Sequence, residues 1–223
     1  MAEPTAELAI DATGVARRFG TRWVLRGVTM RVQAGEAVGL LGANGSGKST
    51  LLRIFGTLLR PSAGTASVYG HDVVRGADRV RGTLGFLAHT PGLYDDLTAR
   101  ENLRFAAAML GGRDFGAGAD VSAGDIADVL ARVGLAHAAD ERVRGFSAGM
   151  ERRLAVARML LARPRLLLLD EPYSNLDADG IALMSDIISQ AVHAGGAAVV
   201  VLHELAPAAG VLDRTVTLRD GRA

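Results

Sequence analysis

Short, unbroken runs of apolar residues recur along this chain and alternate with segments of helical periodicity. The runs Ala37–Leu41, Leu166–Leu169 and Ala197–Leu202 have the length of strands. Strands that are apolar on both faces are typical of a parallel sheet that other elements cover on each side. Helical periodicity follows in Ser49–Leu59 and in Ala178–His193. These patterns predict an α/β core built on a mainly parallel sheet.

The amino-terminal residues have a different pattern. From Leu8 to Arg31 the pattern is strand-like, with turn signals at Thr13-Gly14 and Phe19-Gly20. A further strand pattern runs from Thr65 to Tyr69, and a last short one runs from Thr215 to Leu218. We expect the amino-terminal strands to form an antiparallel β subdomain.

Between residues 91 and 144 the composition shifts to Ala, Arg and Asp with helical spacing. Thr98 and Ser122 each precede an acidic residue by three positions, an arrangement typical of a capped helix start. We therefore predict helices from these residues to about Leu110 and Val133, joined by a flexible loop at 111–118. A third helix is predicted over residues 148–162, because Pro164 follows it.

These segments predict one domain over residues 1–223. Its α/β core, together with the antiparallel β subdomain, takes residues 1–90 and 158–223, and an inserted α-helical subdomain takes residues 91–157. A chain of this length can bury a substantial core.

Composition excludes several classes of protein. With 49% hydrophobic and 22% charged residues, the chain is too apolar for disorder, and its apolar runs are too short to span a membrane. The 25 Lys and Arg residues balance 24 Asp and Glu residues, and 4% of the chain is aromatic, which argues against a nucleic-acid partner. Cysteine is absent, which excludes disulfides and thiolate metal sites. Met1–Pro4 is neither basic nor apolar, so we expect no secretory leader.

A glycine-rich loop stands between the first apolar run and its helix. Residues Gly42–Ser49 match the pattern G-x-x-x-x-G-K-[ST] at every fixed position. The glycines let backbone N–H groups turn towards an anion, and the start of the helix adds a positive dipole. Lys48, the only lysine among 25 basic residues, would reach the outer phosphates. The Ser49 hydroxyl would bind Mg²⁺.

A pair of carboxylates follows the apolar run Leu166–Leu169. Asp170, at the end of a buried strand, would hold the magnesium ion, and Glu171 would act as the general base for an attacking water. Kinases, GTPases and many ATPases carry a phosphate loop, and that loop alone leaves all three classes open.

Further motifs give the chain a resemblance to a known family. Phe146–Met150 and residues 152–158 are followed by Asp170–Pro172, then by Ser174–Asp177, and finally by His203. This ordered set resembles the motifs of ABC-transporter ATPases, and the resemblance covers nearly the whole chain. It implies the ABC ATPase fold, in which a P-loop NTPase core carries an antiparallel β subdomain and an inserted α-helical subdomain. It also implies ATP hydrolysis, with Mg²⁺ as the metal cofactor.

The resemblance assigns roles to individual residues. The expected catalytic residues are Lys48, Glu171 and His203, of which the last would position the γ-phosphate. The expected metal-contacting residues are Ser49, His89 and Asp170. The residues expected to bind ATP are Phe19, which would stack on adenine, Gly42, Asn44, Gly45, Ser46, Gly47, Lys48, Ser49 and Thr50 of the phosphate-loop region, and Ser147, Ala148, Gly149 and Asp177.

The same resemblance implies a head-to-tail homodimer with two ATP molecules at its interface. Ser147 and Gly149, at the start of a helix, would cap the γ-phosphate held by the phosphate loop of the partner copy. The other partners would be transmembrane permease subunits, which places the chain peripherally on the cytoplasmic face of the inner membrane. Leu93, Tyr94 and Leu97 would be available to those subunits, and internal packing of each is the equal alternative.

Three positions differ from the usual family pattern. Ala148 replaces a glycine and Met150 replaces a glutamine in the signature, and His89 stands where the family carries glutamine. A neutral imidazole can still coordinate through one nitrogen, but it titrates near neutral pH.

Four features narrow the resemblance. They are His89–Gly92, Thr98–Leu103, the Ser-Ala-Gly of the signature and Asp177–Gly180, which together look like the haem-exporter ATPase of cytochrome c maturation. ATPases of drug, lipid or polysaccharide exporters share most of these features. A soluble ABC ATPase, such as an iron–sulfur assembly factor, is a further hypothesis. A P-loop small-molecule kinase is a third, although it conflicts with Phe146–Met150 and His203.

Overall fold

A computed structural model describes residues 7–111 and 121–223 of the chain. The strands are β1 (Leu8–Phe19), β2 (Arg22–Gln33), β3 (Ala37–Leu41), β4 (Ala63–Val68), β5 (His71–Asp72), β6 (Leu84–Leu87), β7 (Leu166–Asp170), β8 (Ala197–Val201) and β9 (Arg214–Thr217). The α-helices are α1 (Lys48–Phe55), α2 (Ala77–Arg81), α3 (Ala99–Gly111), α4 (Ala123–Arg132), α5 (Ala148–Leu160) and α6 (Ala178–His193). The flexible loop expected after Gly111 and the segment Met1–Pro4 lie outside the described residues.

The strands form two sheets. An antiparallel sheet has the order β2-β1-β4-β5, and a sheet with the order β6-β7-β8-β3-β9 is parallel at every pairing. The α/β fold with an amino-terminal antiparallel β sheet is therefore confirmed.

Alternate residues of the parallel strands pack into different cores. Leu166 and Leu168 of β7 belong to a core shared with α1 and the antiparallel sheet. Leu167 and Leu169 belong to a second core, shared with the helices α3 to α6. Successive side chains of a strand point to opposite faces, so a strand covered on both sides is apolar throughout. This arrangement explains the unbroken apolar runs of the sequence.

The turn expected at Thr13-Gly14 is wrong. β1 continues through these residues, and its pairing with β2 shifts register between Ala12 and Val15. Gly14 has a φ of 62°, and its N–H donates to Thr29 Oγ1 at 3.1 Å. The glycine accommodates an irregularity within a long strand, which a turn signal does not distinguish from a true turn.

The end expected for α1 is also wrong. The helix stops at Phe55 and not at Leu59. Thr57 takes a left-handed φ of 61°, and the N–H groups of Leu58 and Leu59 both donate to Arg53 O, at 2.8 and 3.1 Å. These bonds satisfy a carbonyl group that a helix end otherwise leaves free, so the chain turns away well before Pro61.

The segment between β4 and the helical region contains elements that the sequence pattern did not predict. β5, α2 and β6 are short, and β6 contains Gly85. A side chain at Gly85 would have its Cβ 2.6 Å from Met159 Cγ, so this glycine lets α5 pack directly on the strand. β6 pairs with β7 and forms one edge of the parallel sheet.

The helical region begins as predicted. Ser122 accepts a hydrogen bond from Asp125 N, and the Asp125 carboxylate accepts one from Ser122 N, which completes a capping box. Thr98 and Glu101 make the same exchange at the start of α3. The division of the chain at residues 90 and 157 stays a prediction, and α5 runs across its second boundary.

The parallel sheet positions the candidate site. The phosphate loop follows β3, Glu171 follows β7, and His203 and His89 come shortly after β8 and β6. Because β6, β7, β8 and β3 are adjacent and parallel, these segments meet at one edge of the sheet. The carboxyl edge of such a sheet is where its ligands bind.

Candidate active site

The phosphate loop connects β3 to α1. Gly42, Gly45 and Gly47 have φ angles of 146°, 77° and 107°, which favour glycine. Lys48 is buried, and its Nζ donates to the carbonyl oxygens of Gly42 at 2.7 Å and Ala43 at 3.1 Å. These bonds use two of the three donors of the ammonium group, so one donor is available to a phosphate oxygen.

A side chain at Gly42 should disrupt this loop. Its Cβ would lie 2.3 Å from Leu218 O and 2.8 Å from Ser46 Oγ. We expect Gly42→Ala to lower the free energy of unfolding by roughly 2 to 4 kcal/mol, because the cost of backbone strain adds to the cost of overpacking. Urea denaturation would measure this loss. Gly45→Ala is the control, since its Cβ would meet nothing within 4 Å and backbone strain alone costs about 1 kcal/mol. Equal losses in the two variants would contradict the steric argument.

A cavity of about 600 Å³ opens beside the phosphate loop. Most of the expected site residues line it, namely Asn44, Gly45, Gly47, Lys48, Ser49, Thr50, His89, Glu171 and His203. Arg22 and Val24 of β2 also line it and were not expected there. The sequence pattern predicts a strand here. Strand periodicity does not indicate which residues of a strand face a ligand.

Ser49, which lines this cavity, contacts Asp170, which is not one of the lining residues. Ser49 Oγ donates to Asp170 Oδ1 at 3.1 Å, and Asp170 is 2% exposed. Within residues 7–111 and 121–223, no three His, Asp or Glu side chains gather into a metal site. A hydroxyl and one carboxylate nevertheless fit Mg²⁺, which commonly completes its shell with phosphate oxygens and water.

Glu171 lies between two imidazole rings. Its Oε1 accepts a hydrogen bond from His203 Nε2 at 2.5 Å, and its Oε2 lies 3.2 Å from His89 Nδ1. Burial raises the pKa of the Glu171 carboxyl, but the hydrogen bond from His203 and the charges of His203, His89 and Lys48 outweigh burial and bring it below its ordinary value. The carboxylate is therefore ionised at neutral pH, as a general base must be.

His89 thus approaches the carboxylate of Glu171. The distance of 3.2 Å joins its Nδ1 to Glu171 and not to the Ser49 and Asp170 pair. Its contact with a metal ion stays a prediction.

Sequence reasoning placed Arg152 in the signature helix but gave it no role of its own. It is 3% exposed, and its guanidinium donates to backbone carbonyls of the segments that carry His89 and Glu171. An arginine in an amphipathic helix is usually on the surface, so no signal in the sequence distinguished this one.

The signature residues do not line the cavity. Ser147 caps α5 by accepting a hydrogen bond from Met150 N at 3.2 Å, and Ala148 and Gly149 form the first turn. Asp177 caps α6, and its Oδ1 also accepts a hydrogen bond from Arg153 at 2.7 Å. Among the residues that the structure describes, those that line this cavity include none of these four.

Phe19 lies at the end of β1 and is 44% exposed. The Arg17 guanidinium stacks on its ring, 4.6 Å from the centroid. A second cavity of about 760 Å³ shares Asn44 and Gly45 with the first and is lined by Trp23 instead of Phe19. The expected stacking of adenine on Phe19 stays a prediction.

Comparisons with known proteins agree with this architecture. The family described as "ABC transporter" matches residues 25–174. The chain is 41% identical over 220 residues to the cytochrome c biogenesis ATP-binding export protein CcmA of Xanthomonas axonopodis pv. citri, covering 98% of each chain. It is 38% identical to the daunorubicin resistance ATP-binding protein DrrA3 of Streptomyces coeruleorubidus, covering 97% of this chain and 67% of the relative.

Solved structures show the same fold. A structure described as the ATP-binding subunit of an ABC transporter superposes with a TM-score of 0.85 at 28% identity, covering 96% of this chain and 88% of the other. None of the helices within residues 7–111 and 121–223 combines the length and apolar character needed to cross a bilayer. The family match, the relatives and the fold together establish that this chain belongs to the ABC transporter family, as an ATP-binding subunit that hydrolyses ATP.

Proposed function

We propose that this chain hydrolyses ATP with Mg²⁺ in a head-to-tail homodimer and drives a haem exporter of cytochrome c maturation. The observation that carries the catalytic part is the carboxylate of Glu171, which His203 holds in the wall of the cavity that Lys48 and the phosphate loop also line. A base and an anion cradle that share one cavity suit attack by water on a bound phosphate.

The residues of the site have distinct tasks in this reaction. Glu171 takes a proton from water as the water oxygen attacks the γ-phosphorus, and the bond to the bridging oxygen breaks to release ADP and inorganic phosphate. Lys48 and the loop N–H groups stabilise the negative charge on the phosphate oxygens. His203 holds the Glu171 carboxylate in place. Ser49 and Asp170 would hold Mg²⁺, which neutralises charge on the β- and γ-phosphates when it is bound.

The position of the signature supports the dimer. Ser147 and Ala148 are exposed and Gly149 is half-buried at the start of α5, and none of the three lines the cavity of its own chain. The free N–H groups of a helix start bind anions, so these residues suit a γ-phosphate presented by a second copy.

The alignments with the CcmA relatives cover nearly the full length of both chains, which supports a haem exporter. The CcmA relative of Xanthomonas campestris pv. campestris is 44% identical, and the alignment covers 96% of this chain and 95% of the relative. The daunorubicin resistance protein and the Nod factor export protein of Burkholderia lata match over 67% and 68% of their own lengths. These two relatives favour export of another substrate as the second candidate function.

Deleting the gene for this chain from its own genome separates the two candidates. For a haem exporter, covalent haem on c-type cytochromes should be lost, and the wild-type gene but not a Glu171→Gln variant should restore it. Haem staining of membrane proteins would measure this. Normal c-type cytochromes together with a loss of resistance to daunorubicin would favour a drug exporter instead.

A groove of about 330 Å³ between β6, α3 and α5 suits a helix of a permease subunit. Tyr94, Phe105 and Met109 line it and are exposed, and the first two rings meet edge to face at 5.0 Å. Leu93, which was also expected at this surface, packs instead against the buried core of the chain. A permease bound here would hold the chain at the cytoplasmic face of the inner membrane.

A charged side chain introduced into this groove should weaken the stimulation of ATP turnover by the permease. We expect Phe105→Glu to reduce the stimulation of ATP turnover by co-purified permease subunits at least about tenfold, because an aromatic anchor contributes 2 kcal/mol or more at an interface. The ratio of stimulated to basal turnover in liposomes would measure it. Leu58→Glu is the control, because Leu58 is also an exposed apolar residue and lies outside the groove. A loss of the same size in that control would contradict the proposed docking surface.

A further inference from the structure

Arg152 is a buried cation in α5, the helix that Ser147 caps. One terminal nitrogen, Nη1, donates to Ala88 O at 2.7 Å and to His89 O at 3.2 Å. The other, Nη2, donates to Asp170 O at 2.8 Å and to Glu171 O at 2.5 Å. One guanidinium therefore joins the chain segment after β6 to the segment after β7.

Within the described part of the chain, the burial of this cation is not offset by an ion pair. Among the residues that the structure describes, no carboxylate forms an ion pair with Arg152, and its buried Nε has no hydrogen-bond partner. Burying a cation costs free energy, and apolar residues often replace buried charges with no loss of stability.

The backbone of Glu171 needs to be held. Its φ is 51°, a left-handed conformation that a residue with a side chain rarely adopts. Its N–H donates to Val201 O at 3.1 Å, and its carbonyl accepts the hydrogen bond from Arg152. Strained residues of this kind persist only where their surroundings hold them.

We propose that Arg152 is a positioning residue for hydrolysis, which holds the Glu171 backbone in its strained conformation and keeps His89 beside it. The guanidinium is planar and presents its donors in a fixed fork, so it sets the distance between the two segments it joins. The carboxylate of Glu171 then stays in reach of both His203 and His89. This inference rests on the proposed role of Glu171 as the general base.

The test compares Arg152→Met with wild type in the full chain. We expect kcat for ATP to fall roughly tenfold to hundredfold, the range for residues that orient a functional ligand, while KM changes less than about twofold. Arg152→Lys should recover part of kcat, because it keeps the charge but not the fork. Arg163→Met is the control, since Arg163 lies just beyond the same helix and its guanidinium is exposed.

A second background separates positioning from general damage. In a Glu171→Gln chain, adding Arg152→Met should change the residual turnover less than about twofold, because the group that Arg152 positions has lost its function. An equal fold-loss in both backgrounds, or an unchanged kcat in the wild-type background, would overturn the inference. If Arg152→Met does not fold, as circular dichroism would show, Arg152→Gln in the same two backgrounds decides by the same criteria.

The two proposals fail differently. Should Glu171→Gln alone hydrolyse ATP at the wild-type rate, the role of Glu171 is wrong. Should Glu171→Gln be slow while folded Arg152→Met and Arg152→Gln both keep the wild-type kcat, only the inference about Arg152 is wrong.

Discussion

Replacing Glu171 with glutamine should lower ATP turnover by about 10³-fold, within the range that a general base contributes. The amide has nearly the same shape as the carboxylate, but it cannot take a proton from water. ATP should still bind, because the phosphate loop and Lys48 are unchanged, and the nucleotide should hold two copies together. Phosphate release would measure turnover, and light scattering with ATP would measure the mass of the dimer.

Glu204→Gln is the matched control, because Glu204 is exposed and follows His203 directly. It should keep the wild-type rate. A Glu171→Gln chain that hydrolyses ATP at that rate, or that stays monomeric with ATP, would count against the proposed mechanism.

Replacing Lys48 with methionine should weaken ATP binding by roughly 10² to 10³-fold. Removing one partner of a buried charged hydrogen bond costs several kcal/mol, which corresponds to a change of this size. Lys48→Arg should bind ATP less than about tenfold more tightly than Lys48→Met does. A guanidinium is wider than an ammonium group and cannot occupy the same place between Gly42 O and Ala43 O. Titration calorimetry with ATP would measure both affinities.

Thermal unfolding without nucleotide is the control for this pair. Lys48 also donates hydrogen bonds to two carbonyl oxygens of its own loop, so a small drop in Tm is expected for both variants. An affinity for ATP within about threefold of wild type in Lys48→Met would refute the role of the lysine.

Much of the fold was predictable because its signals are local. Unbroken apolar runs predicted β3, β7 and β8, since a strand covered on both faces has no polar side. The caps at Thr98 and Ser122 predicted the starts of α3 and α4, because a capping box involves only four consecutive residues. Short elements with weak periodicity, such as β5 and β6, were not predicted.

The parts of the site that lie together in the sequence were also predictable. The phosphate loop is a continuous motif, and the pair Asp170 and Glu171 follows a strand directly. Contacts between distant segments were not. His89 reaches Glu171 because β6 pairs with β7. His203 reaches Glu171 because β7 pairs with β8.

The amino-acid sequence by itself determined which chemical groups this protein offers: a phosphate-loop motif with a single lysine, and two adjacent carboxylates at the end of an apolar strand. Only the tertiary structure decided which residues surround Glu171 and which buried cation donates a hydrogen bond to its backbone carbonyl. The physical reason is that periodicity and motifs report whether a residue is buried and what its neighbours along the chain can do. They do not report the strand order that brings Arg152, His89 and His203 to one carboxylate.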